Sequence, residues 1–134
     1  MIKLNDDESR NVLFFQQITE ASARDCVRDE DSLVFVVNKG EIGKAIGKNG
    51  KNINLLEKLL KKKVKIVESS EDLESFSRNI FSPVELKINV DQGRVIIEAD
   101  KKNRKYIIGK EGKKIKIARI LIKRHFGIEN VKVI

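Results

Sequence analysis

Ile46-Gly47-Lys48-Asn49-Gly50-Lys51-Asn52-Ile53 recurs 62 residues later as Ile108-Gly109-Lys110-Glu111-Gly112-Lys113-Lys114-Ile115, changed only at its fourth and seventh positions. The flanks keep the same register. Leu33, Phe35 and Val37 correspond to Val95, Ile97 and Ala99, and Leu59-Leu60 corresponds to Leu121-Ile122. The closing runs Val64-Lys65-Ile66-Val67 and Val131-Lys132-Val133-Ile134 match once a short insert around Gly127 is allowed for. Self-similarity over such a span sets the architecture before any other signal. It divides the chain into two units, 1–67 and 68–134, each small but able to fold.

Each unit reads alike. Leu13, Phe14, Ile18 and Ala21 predict an amphipathic helix at the start of the first, and Leu73, Phe76 and Ile80 one at the start of the second. The second helix carries a possible capping box, Ser69-x-x-Asp72, and ends at Ser82-Pro83. A strand pair follows: about Ala23 to Arg28 and Leu33 to Val37 across Asp29-Glu30-Asp31, then Val84 to Val90 and Arg94 to Ala99 across Asp91-Gln92-Gly93. After that come a short helix, Gly-x-x-Gly and a longer helix. The longer helix presents Ile53, Leu56 and Leu60 in one unit and Ile115, Ala118 and Ile122 in the other. A short strand closes each unit. The predicted order is α-β-β-α-α-β, twice: an α+β fold with helices packed in a second layer on one face of a three-stranded sheet.

Charge is concentrated around the repeated motif. The net charge is +8, but Lys39 to Lys65 carries nine basic and two acidic residues, net +7. Lys101 to Arg124 carries eleven basic residues and one acidic, net +10, so the remainder is −9. Lysine-rich helix faces are often no more than solvated surface, and charge alone divides evenly between that reading and a polyanion site. The glycines inside the blocks separate the two. Between helices, Gly-x-x-Gly permits a tight turn at positive φ and lets a ligand approach the backbone. The next helix starts at the turn, so its unpaired N–H groups and positive dipole end face that ligand. Lys48, Lys51, Lys110 and Lys113 add charge beside it, which suits a phosphodiester. A single Gly-x-x-Gly is more often only a sharp corner; two in matching basic surroundings reduce that reading to a minority.

With these residues in view, Ala45-Ile46-Gly47-Lys48-Asn49-Gly50-Lys51-Asn52-Ile53 and Ile107-Ile108-Gly109-Lys110-Glu111-Gly112-Lys113-Lys114-Ile115 resemble the I-G-x-x-G-x-x-I signature of the K-homology (KH) domain. The predicted element order is similar to the prokaryotic, or type II, arrangement. Two such domains with almost no linker resemble the NusA family of transcription factors in its short archaeal form. Lys39-Gly40-Glu41-Ile42-Gly43-Lys44-Ala45-Ile46-Gly47 is similar to the first KH domain of that family. The resemblance covers nearly the whole chain. Bacterial members also carry a polymerase-binding N-terminal domain and an S1 domain, for which 134 residues leave no room.

The resemblance implies single-stranded RNA as partner, each loop clamping about four nucleotides of backbone. Gly47, Lys48, Asn49 and Gly50 form one clamp and Gly109, Lys110, Glu111 and Gly112 the other, flanked by Lys51 and Lys113. Ile53 and Ile115, with Ile46 and Ile108, lie at or under an apolar groove for the bases. Glu111 departs from what a phosphate clamp prefers, since a carboxylate repels the backbone. The nascent transcript is the implied RNA and RNA polymerase a second partner. RNA binding in ribosome assembly or RNA turnover is the alternative function, and a KH fold used only for docking to proteins a third.

Other chemistries find little support. Trp is absent, Tyr106 is the single tyrosine, and the phenylalanines sit in apolar stripes. The aromatic platforms of sheet-based RNA binders are therefore not available. No G-x-x-x-x-G-K-[ST] or G-x-G-x-x-G occurs. Cys26, the one cysteine, falls in a predicted strand and is expected to be buried. His125, the one histidine, closes a basic helix before Gly127, and neither has a partner for a nucleophilic pair or zinc site. Asp6-Asp7-Glu8 and Asp29-Glu30-Asp31 fit a helix start and a turn better than a cation site. The expectation is a binding protein, not an enzyme, with no cofactor and no small-molecule substrate. No run approaches the roughly 20 apolar residues that span a bilayer, and the first ten residues lack a signal-peptide centre. These features predict a cytoplasmic protein.

Overall fold

The structure, a computed structural model, describes residues 2–134. Its contacts divide the chain between Ser69 and Ser70. The first unit contains α1 (Asp6–Thr19), β1 (Ala23–Arg28), β2 (Ser32–Val37), α2 (Ile42–Ile46), α3 (Lys51–Leu60) and β3 (Lys63–Glu68). The second contains α4 (Leu73–Phe81), β4 (Lys87–Asp91), β5 (Arg94–Glu98), α5 (Lys101–Ile108), α6 (Lys113–Phe126) and β6 (Asn130–Val133). A one-turn 3-10 segment, Lys48–Gly50 or Lys110–Gly112, joins the last two helices of each unit. The α-β-β-α-α-β order thus occurs twice.

Both sheets have the same topology. β1 runs antiparallel to β2, with Cys26 opposite Phe35, and β2 runs parallel to β3, with Phe35 opposite Ile66. β4 runs antiparallel to β5, with Ile88 opposite Ile97, and β5 runs parallel to β6, with Val95 opposite Val131. The parallel pairing requires a crossover, and in each unit the crossover is the helix–loop–helix that carries the repeated motif. The turns follow from their residues. The Asp29 carboxylate accepts from the Asp31 and Ser32 N–H groups, each at 2.8 Å. Gln92 and Gly93 sit at φ 47° and 73° between the paired Asp91 and Arg94, a two-residue hairpin turn.

Helix α1 starts at a capping box in which Asn5 accepts from the Glu8 N–H at 2.8 Å and Glu8 accepts from the Asn5 N–H at 3.0 Å. Its buried face is Val12, Phe15 and Thr19, and Leu13 is 59% exposed. This corrects the expected stripe of Leu13, Phe14, Ile18 and Ala21. Phe14 and Ile18 flank the core half-buried, and Ala21 is buried just beyond the helix. The Phe15 ring stacks on Phe35 of the sheet at 4.3 Å between centroids, and Cys26, Val37, Ala45 and Leu56 complete that core. Burying one such phenylalanine contributes about 1.5–3 kcal/mol. Strand β2 also departs from simple alternation, because Val34 and Val36 are buried along with Leu33, Phe35 and Val37.

In the second unit the α4 cap is Asp72 itself, accepting from the Ser75 N–H at 2.9 Å, rather than a box opened by Ser69. Ser69 instead extends the first sheet, donating its N–H to the Val37 carbonyl at 2.8 Å. Strand β4 begins at Lys87, three residues later than expected. Phe76 of α4 packs on Phe126 of α6, and Ile97, Ile107, Ala118, Leu121 and Ile122 of the same unit are fully buried. Among the described residues, no helix is long and apolar enough to cross a membrane.

Candidate nucleic-acid interface

The two loops have one backbone. Gly47 and Gly109 adopt φ/ψ of 79°/166° and 78°/172°. The middle residues, Asn49 and Glu111, are left-handed at 56°/27° and 58°/24°, and Gly50 and Gly112 follow at 74°/17° and 73°/15°. In each loop the second glycine donates its N–H to the carbonyl of the first at 3.1 Å, closing the turn. Asparagine tolerates the left-handed region, whereas glutamate reaches it at a cost. The repeat therefore extends to torsion angles despite the change from Asn49 to Glu111.

Close packing makes the first glycine of each loop necessary. A Cβ on Gly47 would lie 2.9 Å from Asn52 Cγ and 3.0 Å from the Asn52 backbone nitrogen. One on Gly109 would lie 2.8 Å from Lys114 Cγ and 3.0 Å from the Lys114 nitrogen. The second glycines are open, with nothing nearer than 3.7 Å at Gly50 and 4.0 Å at Gly112. Loop and following helix thus lie against each other at the first glycine, and the loop surface is clear at the second.

Among the described residues, three of the six helices begin with a side-chain cap and three, α2 among them, do not. Side chains cap α1, α4 and α5: Asn5, Asp72 and Asp100 each accept from a first-turn N–H. Helices α3 and α6 start at Gly50 and Gly112 with no side-chain cap. The first N–H of each, that of Lys51 or Lys113, donates to the Lys48 or Lys110 carbonyl, and the positive dipole end of the helix lies at the loop, where an anion is favoured. Lys48, Asn49 and Lys51 are exposed around the first N-terminus, and Lys110 and Glu111 around the second, where Lys113 is half-buried. Each loop therefore combines the positive end of a helix dipole, nearby ammonium groups and a clear surface at its second glycine, an arrangement suited to a phosphate backbone.

The apolar positions are less symmetric. Ile46 is 36% exposed and Ile53 half-buried, while Ile108 is half-buried and Ile115 is buried at 6%. The first unit thus presents more aliphatic surface beside its loop, and Ile115 supports the second from beneath. Two contacts were not anticipated from the motif. The Asn52 amide donates to the Lys44 carbonyl at 3.0 Å, and Lys114 Nζ sits 3.3 Å from the centroid of the Tyr106 ring. The signal available for both was spacing, since Asn52 and Lys114 each follow the first glycine by five residues.

The remaining candidate groups are structural. Cys26 is fully buried in β1. The His125 ring packs 4.9 Å from Phe76 near the end of α6. Asp7 and Glu8 lie in the first turn of α1, and Asp7 pairs with Arg10. Among the described residues, no group of three or more His, Cys, Asp or Glu side chains is placed to hold a metal ion.

The sequence pattern of the KH domain matches residues 10–89, which take in the first loop. The second loop lies beyond that match, and its likeness to the first rests on the repeated residues and torsion angles. A "Probable transcription termination protein NusA" from Methanocaldococcus jannaschii is 36% identical, the alignment covering 99% of this chain and 75% of that one. Proteins of the same name from Methanococcus vannielii and Halobacterium salinarum are 37% and 33% identical, covering 80% and 97% of their lengths. The crystal structure of APE1850 superposes with a TM-score of 0.77 at 35% identity, covering 98% of this chain and all of that one. A matching loop, a matching domain pattern and relatives aligned along nearly the full chain lead to one conclusion: this protein belongs to the KH-domain proteins and, among them, to the archaeal NusA family.

Proposed function

We propose that the chain is a tandem pair of prokaryotic-type KH domains that binds single-stranded RNA and acts on the nascent transcript in elongation, termination or antitermination. The observation that carries the RNA reading is the pair of uncapped helix N-termini, α3 and α6, each behind a left-handed Gly-x-x-Gly turn inside a basic block. Gly47, Lys48, Asn49, Gly50 and Lys51 hold one stretch of backbone, and Gly109, Lys110, Glu111, Gly112 and Lys113 the other. Each clamp holds about four nucleotides, whose bases lie against aliphatic surface that includes Ile53.

The mechanism is positional and needs no catalytic group or cofactor. Backbone N–H groups and lysines neutralise phosphates, the open second glycine lets the strand lie close, and splayed bases meet apolar surface. The transcriptional role draws its support from the names and similarity of the relatives; the cytoplasmic setting and RNA polymerase as a partner are part of the same proposal. Crosslinking in the native cell, followed by sequencing of the bound RNA, tests the role. Nascent transcripts are the expected catch; enrichment of ribosomal precursors would instead support ribosome assembly, and absence of RNA would leave protein docking.

A further inference from the structure

Tyr106 is the single tyrosine of a chain without tryptophan. It stands in the last turn of α5, three residues before Gly109. Its side chain is 44% exposed, whereas Phe15, Phe35, Phe76 and Phe81 are buried. Lys114, in the first turn of α6, places its ammonium 3.3 Å from the ring centroid. The π electrons attract the cation, so the contact ties α5 to α6 across the second loop. In the first unit the repeat puts Lys44 and Asn52 at these two positions, neither of them aromatic. The second loop also carries Glu111, exposed, where the first has Asn49. It thus places a carboxylate where a phosphate would be repelled, and an exposed ring where the first unit has Lys44.

We propose that Tyr106 is a base-stacking residue peculiar to the second unit: a base of the single strand clamped at Gly109–Gly112 stacks on its ring. The inference rests on the RNA-binding reading above. An aromatic ring offers any base a π surface. Lys114 restrains the ring before binding, which lowers the ordering cost, and brings a positive charge to the neighbourhood of the adjoining phosphate. The two units then divide the work, the first holding backbone tightly and the second gripping a base.

The lone tyrosine makes the test direct, because the ultraviolet emission of the protein reports on this ring. On titrating the full chain with single-stranded RNA, absorbance-corrected tyrosine emission is expected to be quenched in step with binding measured by anisotropy of a labelled strand. Tyr106→Ala should weaken binding about 5- to 100-fold, with Tyr106→Phe close to wild type. The alanine loss should shrink on a strand of equal length bearing abasic positions. Thermal unfolding of Tyr106→Ala and Tyr106→Leu tracks the fold, and either folded variant suffices. Unchanged affinity, unquenched emission, or equal losses on intact and abasic strands would each overturn the stacking role and reduce Tyr106 to a helix tie. Those outcomes leave the RNA-binding reading in place, whereas a wild-type protein that binds no single strand overturns both.

Discussion

The Asn52 side-chain amide donates a hydrogen bond to the Lys44 carbonyl at 3.0 Å, joining the start of α3 to α2 across the Gly47–Gly50 loop. Gly47 lies directly against the same asparagine. The corner is therefore held by a polar tie and by backbone contact at once, and the surface at Gly50 stays clear.

The two glycines of this loop should differ in what they tolerate. Gly47 occupies φ 79°, ψ 166°, a region essentially confined to glycine, and a Cβ there meets the Asn52 backbone. Gly47→Ala is expected to cost about 2–3 kcal/mol. Gly50 is left-handed at φ 74° with room for a methyl group, so Gly50→Ala should cost about 1 kcal/mol. Urea unfolding of the two variants checks the order, and equal losses would count against the close packing at Gly47.

Charge at the loop tips should move affinity in opposite directions. Replacing both Lys48 and Asn49 by Asp is expected to weaken single-stranded RNA binding with circular dichroism unchanged, because carboxylates then face the phosphates at an open helix N-terminus. Glu111→Asn should tighten binding, since it removes the repelling carboxylate and supplies a residue at ease in the left-handed conformation. Anisotropy titrations of both variants decide; an effect of the same sign in the two would defeat the clamp assignment.

Salt dependence counts the phosphates held. Each contact on a single strand contributes about −0.7 to the slope of log K against log salt. Two clamps, each spanning about four nucleotides, should make roughly four to six contacts and give a slope near −3 to −4. Duplex RNA of matched sequence should bind more weakly, because its paired bases cannot enter a groove. Equal affinity for duplex and single strand would reduce both basic blocks to a general polycation.

Acid should weaken the start of α4 through Asp72. Its carboxylate accepts from the Ser75 hydroxyl at 2.7 Å and the Ser75 N–H at 2.9 Å, and these bonds hold its pKa below the ordinary value. The folded value is the lower one. Its contribution is therefore present above the unfolded aspartate value and lost as pH falls through the folded value. Asp72→Asn keeps a side-chain acceptor without a titrating proton. The thermal midpoint of wild type relative to Asp72→Asn should then fall across that acid range, and a constant difference would contradict the cap.

Much of this architecture is legible from residue order alone, because it depends on short-range signals. Asp29 and Asp91-Gln92-Gly93 mark the turns through local hydrogen bonds and positive φ. The repeat at residues 46–53 and 108–115 marks the loops through their glycines. Strand β1 runs Ala23–Arg28 as read, and the basic blocks surround both loops. Local chemistry determines these features wherever the chain is placed.

Tertiary packing decided the rest. Leu13-Phe14-Phe15 offers an apolar residue at three successive helical positions, so spacing alone cannot choose the inward one. Stacking of Phe15 on Phe35 chose it and left Leu13 exposed. Ser69 could equally have opened a capping box, but pairing with Val37 drew it into the sheet and left Asp72 as the cap. Glu111 has little preference for a left-handed turn, and it adopts one because the helices and glycines on either side fix the corner. Tyr106 and Lys114 are eight residues apart on different helices, and only the bend at Gly109–Gly112 brings the ammonium over the ring. Spacing and propensity act over one or two turns of chain, whereas the burial of a face and the meeting of two helices depend on what the rest of the chain brings against them.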